Sequence, residues 1–181
     1  MTFCRKNGID CGKINKIQVQ AQARVPLFIQ GKLDVVSVYQ TNDLPILREN
    51  EAIKFIVLEL DKHGLAVPGM ALVSSDAIIA KKPEALRKLL KAAGDAIVDA
   101  RKDPAAAANM MIKNWSGSPS PTVVTAQVKA TVDAIPDAPG KTIGWVEEKV
   151  IVDALDLLKS AGEIDTPKAA SVYYTNSLFG K

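Results

Sequence analysis

The sequence predicts an α/β fold with helices wrapped around a sheet. In the N-terminal half, short apolar runs with strand-like content alternate with helical segments. Longer amphipathic helical patterns dominate the C-terminal half. Strands alternating with helices are typical of α/β architectures. The predicted strands are residues 17–19, 35–38, 55–60 and 70–73.

Proline, glycine and capping signals set the bounds of the predicted helices. Pro26 stands near the start of one helix, and Gly31 follows its end. Asp103 and Pro104 supply an N-cap and a first-turn proline for another. The segment 83–102 places leucine and alanine on one helical face and charged residues on the other. The predicted helices are residues 24–30, 44–50, 83–102, 104–114, 121–132 and 146–161.

The composition is that of an ordinary globular protein and excludes several classes. The 181 residues are 48% hydrophobic and 24% charged, which suffices for one good core or two small lobes. The 23 basic and 20 acidic side chains are scattered, so the net charge of +3 does not indicate a nucleic-acid partner. No apolar run reaches the length of a membrane span, and no signal-peptide pattern opens the chain. As written, the chain is expected in the cytoplasm.

The cysteine and histidine content argues against a metal site and a nucleophilic enzyme. Cys4 and Cys11 flank a turn signal without a second pair, and His63 is the only histidine. Two free thiols are expected, with a disulfide as the alternative. Phosphate-binding loops, dinucleotide fingerprints, zinc spacings and nucleophile elbows are absent from the sequence. We therefore predict no metal, no cofactor and no enzymatic activity.

A cluster of aromatic and polar side chains follows the predicted strand 35–38. Gly31 provides the turn before this strand, and Tyr39, Asn42 and Asp43 come directly after it. In open α/β sheets, ligands bind beyond the carboxyl ends of the strands. An aromatic ring can stack on a heterocycle, and a carboxylate accepts hydrogen bonds from ring N–H and amino groups. Tyr39, Asn42 and Asp43 are therefore predicted to bind a flat, nitrogen-rich ligand.

The same cluster has a structural alternative. Asn42 or Asp43 can cap the helix that has Pro45 in its first turn. On the chemistry of these side chains alone, the cap is favoured over the ligand site. The two roles do not exclude each other, so both are kept as hypotheses.

Several short segments match a known family in their order and spacing. The Gly-Ile-Asp turn at residues 8–10 and the Gly-Lys-Leu-Asp-Val-Val segment at 31–36 are two of them. They resemble segments of the substrate-binding proteins of ABC transporters for sulfonates, nitrate, taurine and thiamine-precursor pyrimidines. The other matching segments are residues 68–75, 82–84, 103–104, 107–108, 144–145 and 174–176.

The resemblance implies a fold like that of the type 2 periplasmic binding proteins. Such proteins trap a small-molecule ligand between two lobes and present it to an ABC permease. In the pyrimidine-binding branch, a tyrosine followed closely by Thr-Asn-Glu ends the strand that corresponds to 35–38. By this resemblance, Tyr39 stacks on an aminopyrimidine, Asp43 replaces the glutamate that holds the amino edge, and Asn42 supports the turn.

The resemblance also implies a chain truncated at its N-terminus. Residues 1–64 would form part of the second lobe, and residues 65–181 would form the returning segment and C-terminal helices of the first lobe. The first-lobe N-terminal strands would be absent. The apolar face of 83–102 would then lack a sheet to cover it, so a homo-oligomer, a swap of elements between copies or marginal stability is expected. Members of the family are periplasmic or membrane-anchored.

Two further hypotheses stay open. The pyrimidine branch is similar to eukaryotic enzymes that make the thiamine pyrimidine. The histidine and lysine residues and the cysteine-rich motif on which that chemistry depends are not found in this sequence. The other hypothesis is a structural fragment without a ligand, in which Tyr39 and Asp43 serve only as turn and cap residues.

Overall fold

Helices make up the regular secondary structure of the residues that the structure describes. The computed structural model describes residues 2–50, 52–136 and 139–179. Single 3-10 turns lie at Cys11–Lys13, Ala21–Ala23, Asp61–His63 and Ala170–Val172. The α-helices are α1 (Thr2–Lys6), α2 (Arg24–Ile29), α3 (Asp43–Glu49), α4 (Asp76–Lys81), α5 (Pro83–Lys102), α6 (Pro104–Asn114), α7 (Pro121–Ala134) and α8 (Glu148–Ala161).

The α/β fold predicted from the sequence is wrong, and so is the type 2 periplasmic-binding-protein architecture. The described residues include no β-strand and therefore no sheet. The predicted strands 17–19, 35–38, 55–60 and 70–73 are not helical, but none of them pairs with a neighbour. A strand is stable only when its N–H and C=O groups bond to another strand. An apolar, β-rich run predicts an extended chain without guaranteeing such a partner.

The helices that the sequence predicts are confirmed, because their signals are local. Asp103 accepts a hydrogen bond from the Ala106 amide at 2.9 Å and caps α6, with Pro104 as the first helical residue. Ser120 caps α7 in the same way through the Val123 amide at 3.2 Å. Gly162 ends α8 with a φ of 78°, a left-handed conformation that suits glycine.

The chain divides into two compact units, which we describe separately. The first unit contains the described residues of Met1–Lys16, Ile56–Lys91 and Gly140–Lys181. The second unit contains those of Ile17–Phe55 and Ala92–Pro139.

The second unit has its core between α6 and α7, with α3 packed on α7. Ala108 of α6 and Val124 of α7 are completely buried, and Val128 extends the same cluster. Leu44 and Leu47 bury the inner face of α3. The small alanine side chains of α6 allow close approach to the branched valines of α7, so this helix pair packs densely despite its modest residue sizes.

In the first unit, hydrogen bonds and a ring contact join the C-terminal segment to the residues before α8. Asn176 receives a hydrogen bond from the Val146 amide at 3.0 Å and donates one to the Val146 carbonyl at 2.9 Å. Phe179 lies 6.1 Å from the Trp145 ring, measured between ring centroids. These contacts fix the C-terminal segment beside the start of α8.

The two cysteines are paired, so the prediction of free thiols is wrong. Cys4 and Cys11 form a disulfide across a Cα–Cα distance of 5.7 Å. Gly8 adopts a φ of 66°, which lets the chain turn back after α1, and the Ile9 amide then bonds to the Cys4 carbonyl at 2.8 Å. The turn signal at residues 7–8 was visible in the sequence, but the pairing depends on how sharply the chain reverses there.

Leu47 provides a test of the α3 and α7 packing. Its side chain is 1% exposed, so Leu47→Ala removes buried apolar surface and leaves a cavity. We expect the free energy of unfolding to fall by about 2–5 kcal/mol. Chemical denaturation followed by far-ultraviolet circular dichroism measures the change. The matched variant Leu89→Ala, at a residue that is 54% exposed, should stay within about 0.5 kcal/mol of the parent. Equal losses in both variants would contradict the described core.

Candidate functional site

The segment 39–43 forms a tight turn that leads into α3. The Tyr39 carbonyl accepts hydrogen bonds from the amides of Asn42, Asp43 and Leu44 at 3.2, 3.0 and 3.2 Å. In return, the Tyr39 amide donates to Oδ2 of Asp43 at 2.9 Å. Both backbone polar groups of Tyr39 are therefore held by the turn that follows it.

Asp43 lies inside this turn and is only 8% exposed. Nη2 of Arg24 lies 3.5 Å from its Oδ2, and Nδ2 of Asn42 lies 3.4 Å from its Oδ1. The same guanidinium donates from Nη1 to the Ser37 carbonyl at 2.8 Å. Arg24 thus fastens the segment before the turn to the start of α2. A carboxylate at the first residue of α3 also suits the positive end of the helix dipole.

Asn42 connects the turn to α7. Nε2 of Gln127 donates to the backbone carbonyl of Asn42 at 3.0 Å and to its Oδ1 at 3.1 Å. Gln127 is 8% exposed and belongs to the buried face of α7. Asn42 stands at the N-cap position of α3, but its side chain makes no capping hydrogen bond. The cap predicted as the structural alternative is therefore not formed by Asn42, whose carboxamide is occupied by Gln127.

Tyr39 has the opposite environment from Asp43. Tyr39 is 68% exposed, although its backbone amide and carbonyl are both hydrogen-bonded within the turn. An exposed ring on a rigid backbone can accept a flat ligand without a large loss of conformational entropy, because little remains to be ordered. The structure therefore brings Tyr39, Asn42 and Asp43 together in one turn, with Tyr39 outward and Asp43 inward.

Arg24 and Gln127 belong to this site and were missed by the sequence analysis. Arg24 lies 19 positions before Asp43 in the chain, and no motif links the two. Gln127 carries a signal that could have been used. It falls between Val124 and Val128 on the apolar stripe of a helix, where a polar side chain needs a buried partner. Its partner could not have been named from the sequence.

His63 and Glu59 are each in contact with a neighbouring side chain. His63 packs edge-on against Phe3, with 5.8 Å between ring centroids. Glu59 accepts a hydrogen bond from Lys62 at 2.8 Å, and this bond raises the pKa of the Lys62 ammonium above its ordinary value. Among the described residues, no cluster of three or more histidine, cysteine or carboxylate side chains could hold a metal ion.

Two open clefts occur in the second unit, away from the turn residues. One has a volume of about 360 Å³ and is lined by Arg101, Lys129 and Asp133, among others. The second, of about 620 Å³, is lined by Ile29, Ile46, Glu49, Asn50 and Ala52. Neither cleft includes Tyr39, Asn42 or Asp43 in its lining. None of the helices described here has the length and apolarity needed to cross a bilayer.

Comparison with known families identifies the class of protein. A family model described as NMT1/THI5 like matches residues 1–107, which is more than half of the chain. The chain belongs to this family. The match contains Tyr39, Asn42 and Asp43. Comparison with curated proteins and with solved structures gives no match.

This membership indicates a solute-binding protein with a small-molecule ligand. The family consists mostly of binding proteins, although its THI5 members are biosynthetic. The resemblance found in the sequence therefore identified the correct family, although the fold expected from it is not the one observed.

Asp43 provides a test of the turn. Asp43→Ala leaves the Tyr39 amide without its acceptor and Arg24 without its anion. We expect the free energy of unfolding to fall by about 1–3 kcal/mol. Asp43→Asn keeps an acceptor and should lose less. Urea denaturation measures both, with Asp34→Ala as the matched control because Asp34 is an exposed aspartate in the preceding loop. Unchanged stability of Asp43→Ala would contradict the structural role of this carboxylate.

Proposed function

We propose that the protein binds an aminopyrimidine thiamine precursor, or a related flat and nitrogen-rich solute, for an ABC importer. The observation that carries the proposal is the exposed ring of Tyr39 on a backbone held by four hydrogen bonds. The family membership supports a small-molecule ligand.

The three predicted site residues take different parts in the proposed binding. Tyr39 stacks on the ring of the ligand, since its side chain is the accessible one. Asp43 holds the Tyr39 amide from inside the turn, and its charge is shared with Arg24. Asn42 ties the turn to Gln127. Because Asp43 is buried and both of its oxygens have partners within the turn, it supports Tyr39 in this proposal and the ligand contact falls to the exposed ring.

Tyr39 gives the sharpest test, because its side chain can be removed without removing buried contacts. We expect Tyr39→Ala to weaken binding of formylaminopyrimidine or hydroxymethylpyrimidine by roughly 5- to 150-fold. Stacking of a base on an aromatic side chain is worth about 1–3 kcal/mol, and about 1.4 kcal/mol corresponds to a factor of ten. Isothermal titration calorimetry measures the affinity.

The matched control is Tyr39→Phe, which keeps the ring and should keep most of the affinity. Both variants should unfold within about 0.5 kcal/mol of the parent, since Tyr39 is exposed. Equal binding by the parent and Tyr39→Ala would refute the stacking role. Conversion of the ligand during the titration, detected by mass spectrometry, would instead support the biosynthetic alternative, and silence of the parent would refute the binding proposal.

The compartment of the protein is a further part of the proposal. The cytoplasmic location expected from the sequence stays a prediction, while the Cys4–Cys11 disulfide favours an oxidising compartment. In protein taken from its host under acid quench and then denatured, we expect neither cysteine to react with an alkylating reagent until a reductant is added. The variant Cys4→Ser leaves Cys11 unpaired and should be labelled directly. Labelling of both cysteines before reduction would place the folded chain in a reducing compartment.

A further inference from the structure

The segment 66–74, which we call the neutral segment, is the most unusual surface of the first unit. All of its residues are exposed, with Met70 at 90% and Val73 at 92%. It is not helical, and no hydrogen bond to another described group involves its backbone. The sequence contains no charged residue between His63 and Asp76. A run of chain that is apolar, uncharged and unpaired at once is rare on a protein that stays monomeric.

A second segment of the first unit has a similar character. Residues 56–60 are also non-helical, and the backbone of 56–58 makes no hydrogen bond within the described part of the chain. Ile56 is 89% exposed and Leu58 is 56% exposed. The only charged residue of this segment, Glu59, is neutralised by Lys62. The first unit therefore carries two segments that have the composition of strands without forming strands.

The chemistry of the neutral segment specifies the kind of partner. Its N–H and C=O groups are open to water, and the backbone of another extended chain can bond to them in register. Met70 and Leu72 alternate with Ala71 and Val73, so both faces of the resulting strand would be apolar. A strand that is apolar on both faces is suited to the interior of a sheet. Pro68 has no N–H and limits the pairing to the residues that follow it.

We propose that two copies of this chain pair through their neutral segments as antiparallel strands about a two-fold axis. Because the segment is uncharged, bringing two copies together opposes no like charges, whereas a charged segment would repel itself. Each copy also supplies 56–60, so the pair holds up to four strands. Three or more strands are needed for a sheet to be stable by itself, and one copy cannot reach that number.

The area is also sufficient for such a pair. Strand pairing covers the flanks of the side chains and leaves both faces of the sheet open, so only part of their exposed surface is buried. For Ile56, Leu58, Val67, Met70, Leu72 and Val73 that part is on the order of 500 Å² of apolar surface per copy. Two copies then bury about 1,000 Å², which is the lower limit for a specific interface. The pairing should therefore be reversible and depend on concentration in the micromolar range. It does not depend on the proposed ligand.

Leu72→Lys tests the proposal, because it places a charge at the middle of the paired strands. Sedimentation velocity from low to high micromolar concentration should show the parent chain rising reversibly from monomer to dimer. We expect Leu72→Lys to weaken this association at least tenfold. The residue is exposed, so the far-ultraviolet circular dichroism of the dilute variant should match that of the dilute parent.

The matched control is Leu89→Lys, which places the same charge on an exposed leucine of α5. It should associate like the parent. Hydrogen exchange gives a second readout, since the amides of residues 69–74 should become protected only at the concentrations where dimer forms. A parent chain that is monomeric throughout would overturn the proposal. So would a dimer that Leu72→Lys leaves intact, a dimer that Leu89→Lys weakens as much as Leu72→Lys does, or a dimer with rapidly exchanging amides in the neutral segment.

Discussion

The hydrogen bonds from Gln127 to Asn42 are the constraint on which the second unit depends. A glutamine amide buried on the apolar face of α7 would cost about 1–3 kcal/mol if it had no partner. Asn42 satisfies it with two oxygens, one from the backbone and one from the side chain. This pairing fixes where α3 begins, and α3 then places Leu44 and Leu47 in the core. Tyr39 is held separately, by the amides of the turn and the carboxylate of Asp43.

Helices and strands differ in how far the sequence could predict them, and the reason is the range of their hydrogen bonds. The bounds of α6 follow from Asp103, Pro104 and the alanines after them, all within one stretch of chain. The run 55–60 has equally clear strand chemistry, but its partner would have to come from elsewhere. A local pattern cannot supply that partner. The confirmed helices and the wrong sheet therefore have one physical cause.

The candidate site was accessible to sequence reasoning only where its members are neighbours in the chain. Tyr39, Asn42 and Asp43 are grouped by adjacency, and their residue types suggested the ligand chemistry. Their different environments depend on Arg24 of α2 and Gln127 of α7, which bind Asp43 and Asn42. Arg24 and the Tyr39 amide bind the buried carboxylate of Asp43, whereas Asn42 stays exposed although it accepts hydrogen bonds from Gln127. The resemblance predicted ligand contacts for Tyr39 and Asp43 and a supporting role for Asn42, whereas burial separates the exposed Tyr39 from the enclosed carboxylate of Asp43.

The exposed surface of the first unit bears on how the stability of the whole chain is measured. The sequence analysis predicted that α5 would carry the uncovered apolar surface. Leu86, Leu90 and Ile97 of that helix are instead half-buried. The neutral segment is more exposed than any of them. Association that uses only the folded chain stabilises it by mass action, by an amount that grows with the ratio of concentration to dissociation constant. Free energies of unfolding for variants of the core and of the turn should therefore be compared at one protein concentration. If the free energy of unfolding of the parent rises with protein concentration, that rise reports the proposed pairing.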